Sequence, residues 1–213
     1  MIGNKFLKRI MAGFSGIAMA FSIIPNFSAF ADDTHANYEC VLFAQGTDDS
    51  IRINSQSISI NGDIVTNGTF STNSEYSGIY GNVFDNQGNS MIDYQSTIEE
   101  LYFYDDVNYI EYNYDSTNEN ENIIMPTFVE GSFSNGYNVS ITDSALMTID
   151  DITICGNTFN ATNSVLYSQL GDIHVETDVF SSSGLIYAPF GTVYIESGNV
   201  NINGLVIAQN IEI

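Results

Sequence analysis

The chain has 213 residues, 44% of them apolar, with 4 Lys plus Arg against 26 Asp plus Glu and a formal net charge of −22. Three of the cations, Lys5, Lys8 and Arg9, fall in the first nine residues, which leaves Arg52 alone against every acid. That balance excludes nucleic acid and anionic membrane as direct partners, because binding a phosphate backbone or an acidic lipid surface takes many cations.

At the start of the chain, the three cations precede an apolar run from Ile10 to Ile24 and the small-residue pattern Ala29-Phe30-Ala31 before Asp32. This layout predicts a signal peptide over 1–31, and an exported domain over 32–213. No later apolar run is long enough to span a bilayer, so no membrane insertion is expected after cleavage. No Leu-Pro-x-Thr-Gly sorting motif follows Gly204, so the expected destination is the cell exterior without covalent wall anchoring.

Ile51-x-Ile53 and Ile58-x-Ile60 then alternate as short strands that end at Asn61-Gly62. Residues 73–124 show no repeat. Within them Ser96-Thr97-Ile98-Glu99 is a capping-box pattern, and Ile98, Leu101 and Tyr102 start an apolar stripe, so a helix is predicted from about Thr97 to Asp106. The polar stretch Ser116 to Asn122 reads as a solvated linker. Residues 125–164 read as irregular strand units around Thr127 to Phe133, Tyr137 to Ile141 and Ile152 to Cys155.

From Val165 onward the chain aligns with itself at an offset of 20. Val165-Leu-Tyr-Ser-Gln-Leu-Gly171 lies over Leu185-Ile-Tyr-Ala-Pro-Phe-Gly191, and that over Leu205-Val-Ile-Ala208. Ile173, Val193 and Ile213 match in type, as do Val175 and Ile195, Glu176 and Glu196, and Gly184 and Gly204. Apolar residues alternate with His174, Tyr194 and Asn201, which is strand periodicity. Each unit holds about three short strands, too few to close a core alone, so units must stack. The expected fold is therefore all-β: a single-domain β-helix of about 20-residue rungs with one short helix packed alongside.

The Ile51 to Gly62 pattern matches Val193 to Gly204, and Phe43-Ala44 matches Tyr187-Ala188, which predicts that an N-terminal rung over about Leu42 to Thr66 stacks on the C-terminal ones. Val165-Leu166-Tyr167 and Leu185-Ile186-Tyr187 are apolar at consecutive positions, so one sheet is apolar outside as well as inside and needs a cover. The predicted helix is the candidate for it.

The motif Gly184-Leu-Ile-Tyr-Ala-Pro-Phe-Gly-Thr-Val-Tyr-Ile195, followed by Asn199-Val-Asn-Ile-Asn-Gly-Leu-Val-Ile-Ala208, resembles a β-helix repeat of secreted surface proteins of Gram-positive bacteria. In those proteins it accompanies a segment like Ser50-Ile-Arg-Ile-Asn54 and Asn61 to Thr69. More distantly, the layout is similar to the discontinuous β-helix of ice-binding adhesins and to the stacked rungs of bactofilins. The resemblance implies a fold and carries over no functional residue.

Chemistry-bearing residues are sparse. Catalytic β-helices acting on acidic polysaccharides use Arg or Lys, and beyond the predicted signal peptide only Arg52 is present, flanked by Ile51 and Ile53 as an outward side chain. Asp105-Asp106 and Asp150-Asp151 are sequence neighbours, which on a strand point to opposite faces. His35 and His174 have no companions at metal-ligand spacing, and no Gly-x-Ser-x-Gly elbow occurs. No cofactor is expected, with weak calcium binding left to the Glu176/Glu196 ladder. Cys40 and Cys155 are the only cysteines, far apart in sequence. The aromatic run supplies Tyr102, Tyr104, Tyr109, Tyr112 and Tyr114, either packed on the solenoid or presented to a glycan or protein partner. The outward sets Asp172/Thr192/Glu212 and His174/Tyr194 are unlike the flat threonine ladder that ice binding needs.

The expected function is an exported, non-enzymatic structural or adhesive surface module, a monomer or weak self-associator. The alternative is a polysaccharide-active β-helix enzyme, a glycoside hydrolase, or a glycan-binding module.

Overall fold

The computed structural model describes residues 40–55, 57–73, 77–85, 108–116 and 119–213. The N-terminal block holds β1 (Cys40–Ala44), β2 (Asp49–Ile53), β3 (Ile58–Asn61), β4 (Asp63–Thr66), β5 (Thr69–Thr72), β6 (Ser77–Tyr80) and β7 (Val83–Asp85). The C-terminal block opens with the short strands β8 (Asn108–Ile110), β9 (Tyr114–Ser116), β10 (Glu121–Ile123), β11 (Thr127–Val129) and β12 (Phe133–Asn135). It continues with β13 (Val139–Thr142), β14 (Ala145–Thr148), β15 (Ile152–Thr162), β16 (Val165–Ser168), β17 (Ile173–Ser182), β18 (Leu185–Ile202) and β19 (Leu205–Glu212). No helix occurs among the described residues, and the predicted helix from Thr97 to Asp106 lies outside them, as does the predicted signal peptide.

All pairings are parallel and build a solenoid with three faces. Face A stacks β8, β11, β14, β16, β18, β19, β1, β4 and β7 in that spatial order. Face B stacks β9, β12, β15, β17, β18, β19, β2 and β5. Face C stacks β10, β13, β15, β17, β18, β3 and β6. The chain order is thus discontinuous in space: the N-terminal block continues the stack beyond the C-terminus, as the sequence match between Ile51 to Gly62 and Val193 to Gly204 predicts. Phe43 and Ala44 fall in the columns of Tyr187 and Ala188, with Ile207 and Ala208 between.

The interior is made of columns of β-branched and aromatic side chains, one residue per rung about 4.8 Å apart. On face B, Phe133, Ile152, Ile173, Val193, Ile211 and Ile51 form one fully buried column. Each large side chain so buried contributes about 1.5–3 kcal/mol. On face C the rings of Phe159 and Phe180 stack at 5.1 Å.

The predicted column of Ile173, Val193 and Ile213 holds only for its first two members. Where β18 has Pro189-Phe190-Gly191 at the corner between faces A and B, β19 has only Gln209, so the register shifts and Val193 pairs with Ile211. Tyr194 accordingly pairs with Glu212, and Thr192 with Asn210, in place of the expected Asp172/Thr192/Glu212 set. Ile213 moves to the next inward position, where its N–H donates to the Arg52 carbonyl.

The stretch read as non-repeating, 73–124, contains rungs at both ends: β6 and β7 continue the N-terminal stack, and β8, β9 and β10 open the C-terminal one. Their strands of three or four residues are too short to show alternation. The stretch read as a linker includes the start of β10.

Face A is apolar on both sides, as its consecutive apolar residues predict. Its outward column runs through Met147, Tyr167, Tyr187, Ile207, Phe43 and Val65, and Phe43 and Ile207 are fully buried. Tyr167 and Tyr187 stack at 5.3 Å, and burial pushes the Tyr167 hydroxyl pKa up.

Candidate functional site

Two surfaces of the solenoid stand out, and both follow from the corner between faces B and C. There β15, β17 and β18 bend without breaking, so the inside/outside alternation resets. Asn157 and Thr158, Asp178 and Val179, and Gly198 and Asn199 are consecutive exposed pairs. Asn138 fixes the bend by accepting, through its side-chain oxygen, from the backbone N–H groups of Asn157 (3.1 Å) and Thr158 (2.9 Å). Gly156 is needed there, since a Cβ would collide with the Tyr137 carbonyl.

Along this corner runs a groove of about 530 Å³ lined by residues of four successive rungs, among them Tyr137, Asn157, Glu176, Thr177, Asp178 and Glu196. Cys155, Glu176 and Glu196 form one ladder beside it. The Cys155 thiol is exposed and free. Its pKa is pushed up by burial first, and then by the neighbouring Glu176 carboxylate. His174 Nε2 lies 3.4 Å from a Glu196 carboxylate oxygen. Three acids thus line one groove, yet among the described residues no three His, Cys, Asp or Glu side chains converge on a point that could hold a metal ion.

Past the corner, face C is different. Its central outward column is Asn122, Ser140, Asn160, Ser181, Asn201, Ser59 and Gly78. Asn and Ser alternate over six rungs, and the sixth comes from the N-terminal block. Flanking outward positions are Thr142 and Thr162 on one side and Thr158, Val179 and Asn199 on the other. None is charged. Face B, by contrast, carries Asp115, His174, Glu212 and Arg52 in a single outward column.

Arg52 is exposed and forms ion pairs with Asp49 (2.6 Å) and Glu212 (3.6 Å), which ties β2 to the last strand. The hydrogen bond from Arg52 holds the Asp49 carboxyl below its usual pKa. Asp150 and Asp151 serve the turns: the Asp150 carbonyl accepts from the Ser168 hydroxyl, and the Asp151 carboxylate from the Asp172 N–H. Cys40 is buried on face A, so the two cysteines are separate thiols.

Of the tyrosines singled out, Tyr102 and Tyr104 lie outside the described residues. Tyr109 stacks on Phe128 at 5.8 Å and donates to Glu130, with its pKa raised to about 12 chiefly by burial. Tyr114 stacks on Phe133 at 5.1 Å and donates to Glu121. Tyr112 is 75% exposed. These three do not share a surface: Tyr109 belongs to the outward side of face A and Tyr114 to an inward column of face B.

The Glu176/Glu196 ladder is legible in the sequence but the groove is not, because its residues come from rungs spaced 19 to 21 apart. The uncharged face is not legible from the alternation around Asn201 alone, because its outward residues line up only once the rungs are stacked. The recurrence of Asn160, Ser181 and Asn201 at near-constant spacing was the available signal.

No family model matches the chain, and no curated protein matches it. Among solved structures, the crystal structure of an ice-binding protein from the Antarctic ascomycete Antarctomyces psychrotrophicus is similar at 13% identity over 79% of this chain and 92% of that one, with a TM-score of 0.38. No helix among the described residues is long and apolar enough to cross a membrane.

Proposed function

We propose that the protein is an exported, non-enzymatic adhesive module that lays face C against a neutral, hydroxyl-rich polysaccharide surface. The observation that supports this reading is the segregation of charge. Among the described residues, the outward columns of one seven-strand face hold no acid, and they offer short amide and hydroxyl groups at one rung spacing. A face without charges loses no ion hydration on contact, while its Asn and Ser groups can exchange water for sugar hydroxyls. Asn on alternate rungs interrupts the uniform threonine ladder that an ordered water lattice would favour, so the polysaccharide is preferred over ice.

The test is adsorption to insoluble neutral and anionic polysaccharides. Asn160→Asp with Asn201→Asp should weaken adsorption to the neutral polymer about tenfold or more, whereas Thr153→Asp on face B should leave it unchanged. Equal loss in both variants would reject face C as the contact. A second reading, the glycan-active enzyme, is favoured by one observation only, the three acids along the corner groove. Robust release of reducing sugar would establish it, and thermal hysteresis without polysaccharide adsorption would assign the face to ice.

A further inference from the structure

The central column of face C has a repeat of its own along the solenoid axis. It runs from Asn122 to Gly78 over seven strands, roughly 29 Å at about 4.8 Å per rung. Asn and Ser alternate along it, so a longer amide and a shorter hydroxyl each recur on every second rung. A polymer that keeps contact with this ladder has to advance by close to one rung per unit and turn over between successive units.

A second observation is separate from the ladder. Where the alternation ends, Tyr80 carries its ring over Gly78: a Cβ at residue 78 would lie 3.3 Å from Tyr80 Cε2 and 3.7 Å from its hydroxyl oxygen. Glycine at 78 leaves the room in which the ring lies across the central column. The strand is held there by the Gly62 N–H, which donates to the Tyr80 carbonyl at 3.2 Å. Tyr80 is 68% exposed, so its ring is open to a ligand. An open aromatic ring in line with amide and hydroxyl groups is a platform for the apolar face of a sugar, and it has no charge to desolvate.

We propose, resting on face C as the contact surface, that its occupant is a neutral β-1,4-linked hexose chain that lies along the solenoid axis, one ring stacked on Tyr80 and its hydroxyls on the Asn122 to Ser59 ladder. In the extended form of such a chain each ring is turned over relative to the last. The chain rises by slightly more than one rung spacing per ring, so about six rings cover the column. Its two edges meet the surface alternately, in step with Asn and Ser. Chains linked α-1,4 or β-1,3 coil, and they leave a straight ladder after a few rings. Polymers of glucose and of N-acetylglucosamine share the β-1,4 geometry and differ in the group on the second carbon.

The experiment titrates the whole protein, by calorimetry, with the β-1,4-linked trimers and hexamers of glucose and of N-acetylglucosamine, beside maltohexaose and laminarihexaose. One β-1,4 hexamer should bind at least about tenfold more tightly than either coiled hexamer and than its own trimer, and the tighter of the two identifies the polymer. Tyr80→Ala should weaken hexamer binding about fivefold or more, and Tyr80→Phe should keep it within about twofold. Tyr112→Ala, which removes an exposed tyrosine between β8 and β9, away from face C, should leave it unchanged. No binding, equal binding of the coiled hexamers, no gain from trimer to hexamer, or unaltered binding by Tyr80→Ala would overturn the proposal. If any of these arises while Asn160→Asp with Asn201→Asp still weakens adsorption to the insoluble neutral polymer, contact through face C stands and its axial β-1,4 occupant falls. If that pair leaves adsorption unchanged, the contact itself falls.

Discussion

Single positions in this solenoid are constrained by the rung above and the rung below. Val193 is fully buried between Ile173 and Ile211, so Val193→Asp places an uncompensated charge where no partner can reach it. A loss of about 4 kcal/mol or more is expected, and a wild-type-like thermal melt would refute the assigned column. Gly204 is constrained by backbone approach: a Cβ there would collide with the Gly184 carbonyl one rung away, which is why glycine recurs at this interval. Gly204→Ala should cost about 1–3 kcal/mol in a denaturant titration. Cys155 is constrained electrostatically. With its thiol pKa raised by burial and Glu176, its alkylation rate should reach half-maximum above the ordinary thiol value of about 8.5, and a midpoint below it would contradict the placement beside the carboxylates.

At the scale of elements, the decisive feature is the seam where the N-terminal block meets the C-terminus. Residues 51 and 52 lie beside 211 and 212 in a parallel pair. Replacing Arg52 and Glu212 together by cysteine should therefore give a disulfide under oxidising conditions, since adjacent strands bring Cα atoms within the about 4.4–6.8 Å that a bridge needs. Linkage of position 52 to the 127–154 region instead would mean sequential stacking. The seam also has a pH signature. Because the Asp49 pKa is lowered by Arg52, its contribution is present above the usual Asp value of about 4 and is lost as pH falls through the lowered one. The difference in melting temperature between wild type and Asp49→Asn should accordingly shrink toward zero on acidification below about pH 4. Much of this level was legible in the sequence. The repeat from Val165 to Ala208 and the matching Ile51 to Gly62 segment specify both the fold and the order of stacking. The shift of Ile213 was not legible, because the shortening at Gln209 replaces three corner residues with one and nothing in the alternation marks it. The rungs of 108–123 were hidden for another reason: strands of three residues have no period to read.

At the scale of the whole solenoid, the outward columns of face C hold no acid among the described residues, a segregation that only the stacking order makes legible. Ser59 completes the Asn/Ser alternation only because β3 lies on β18. Acids at outward positions of face B and along the corner keep the particle strongly anionic, while face C stays neutral. An anionic particle that adheres through a neutral face gains no long-range attraction to its target, so salt has nothing to screen at the contact. The most direct measurement is the initial slope of the adsorption isotherm on a neutral polysaccharide between about 20 mM and about 500 mM salt, across which the Debye length falls several-fold. The slope is predicted to stay within about twofold across this range. A steep fall with salt, or adsorption only to charged polymers, would contradict contact through face C.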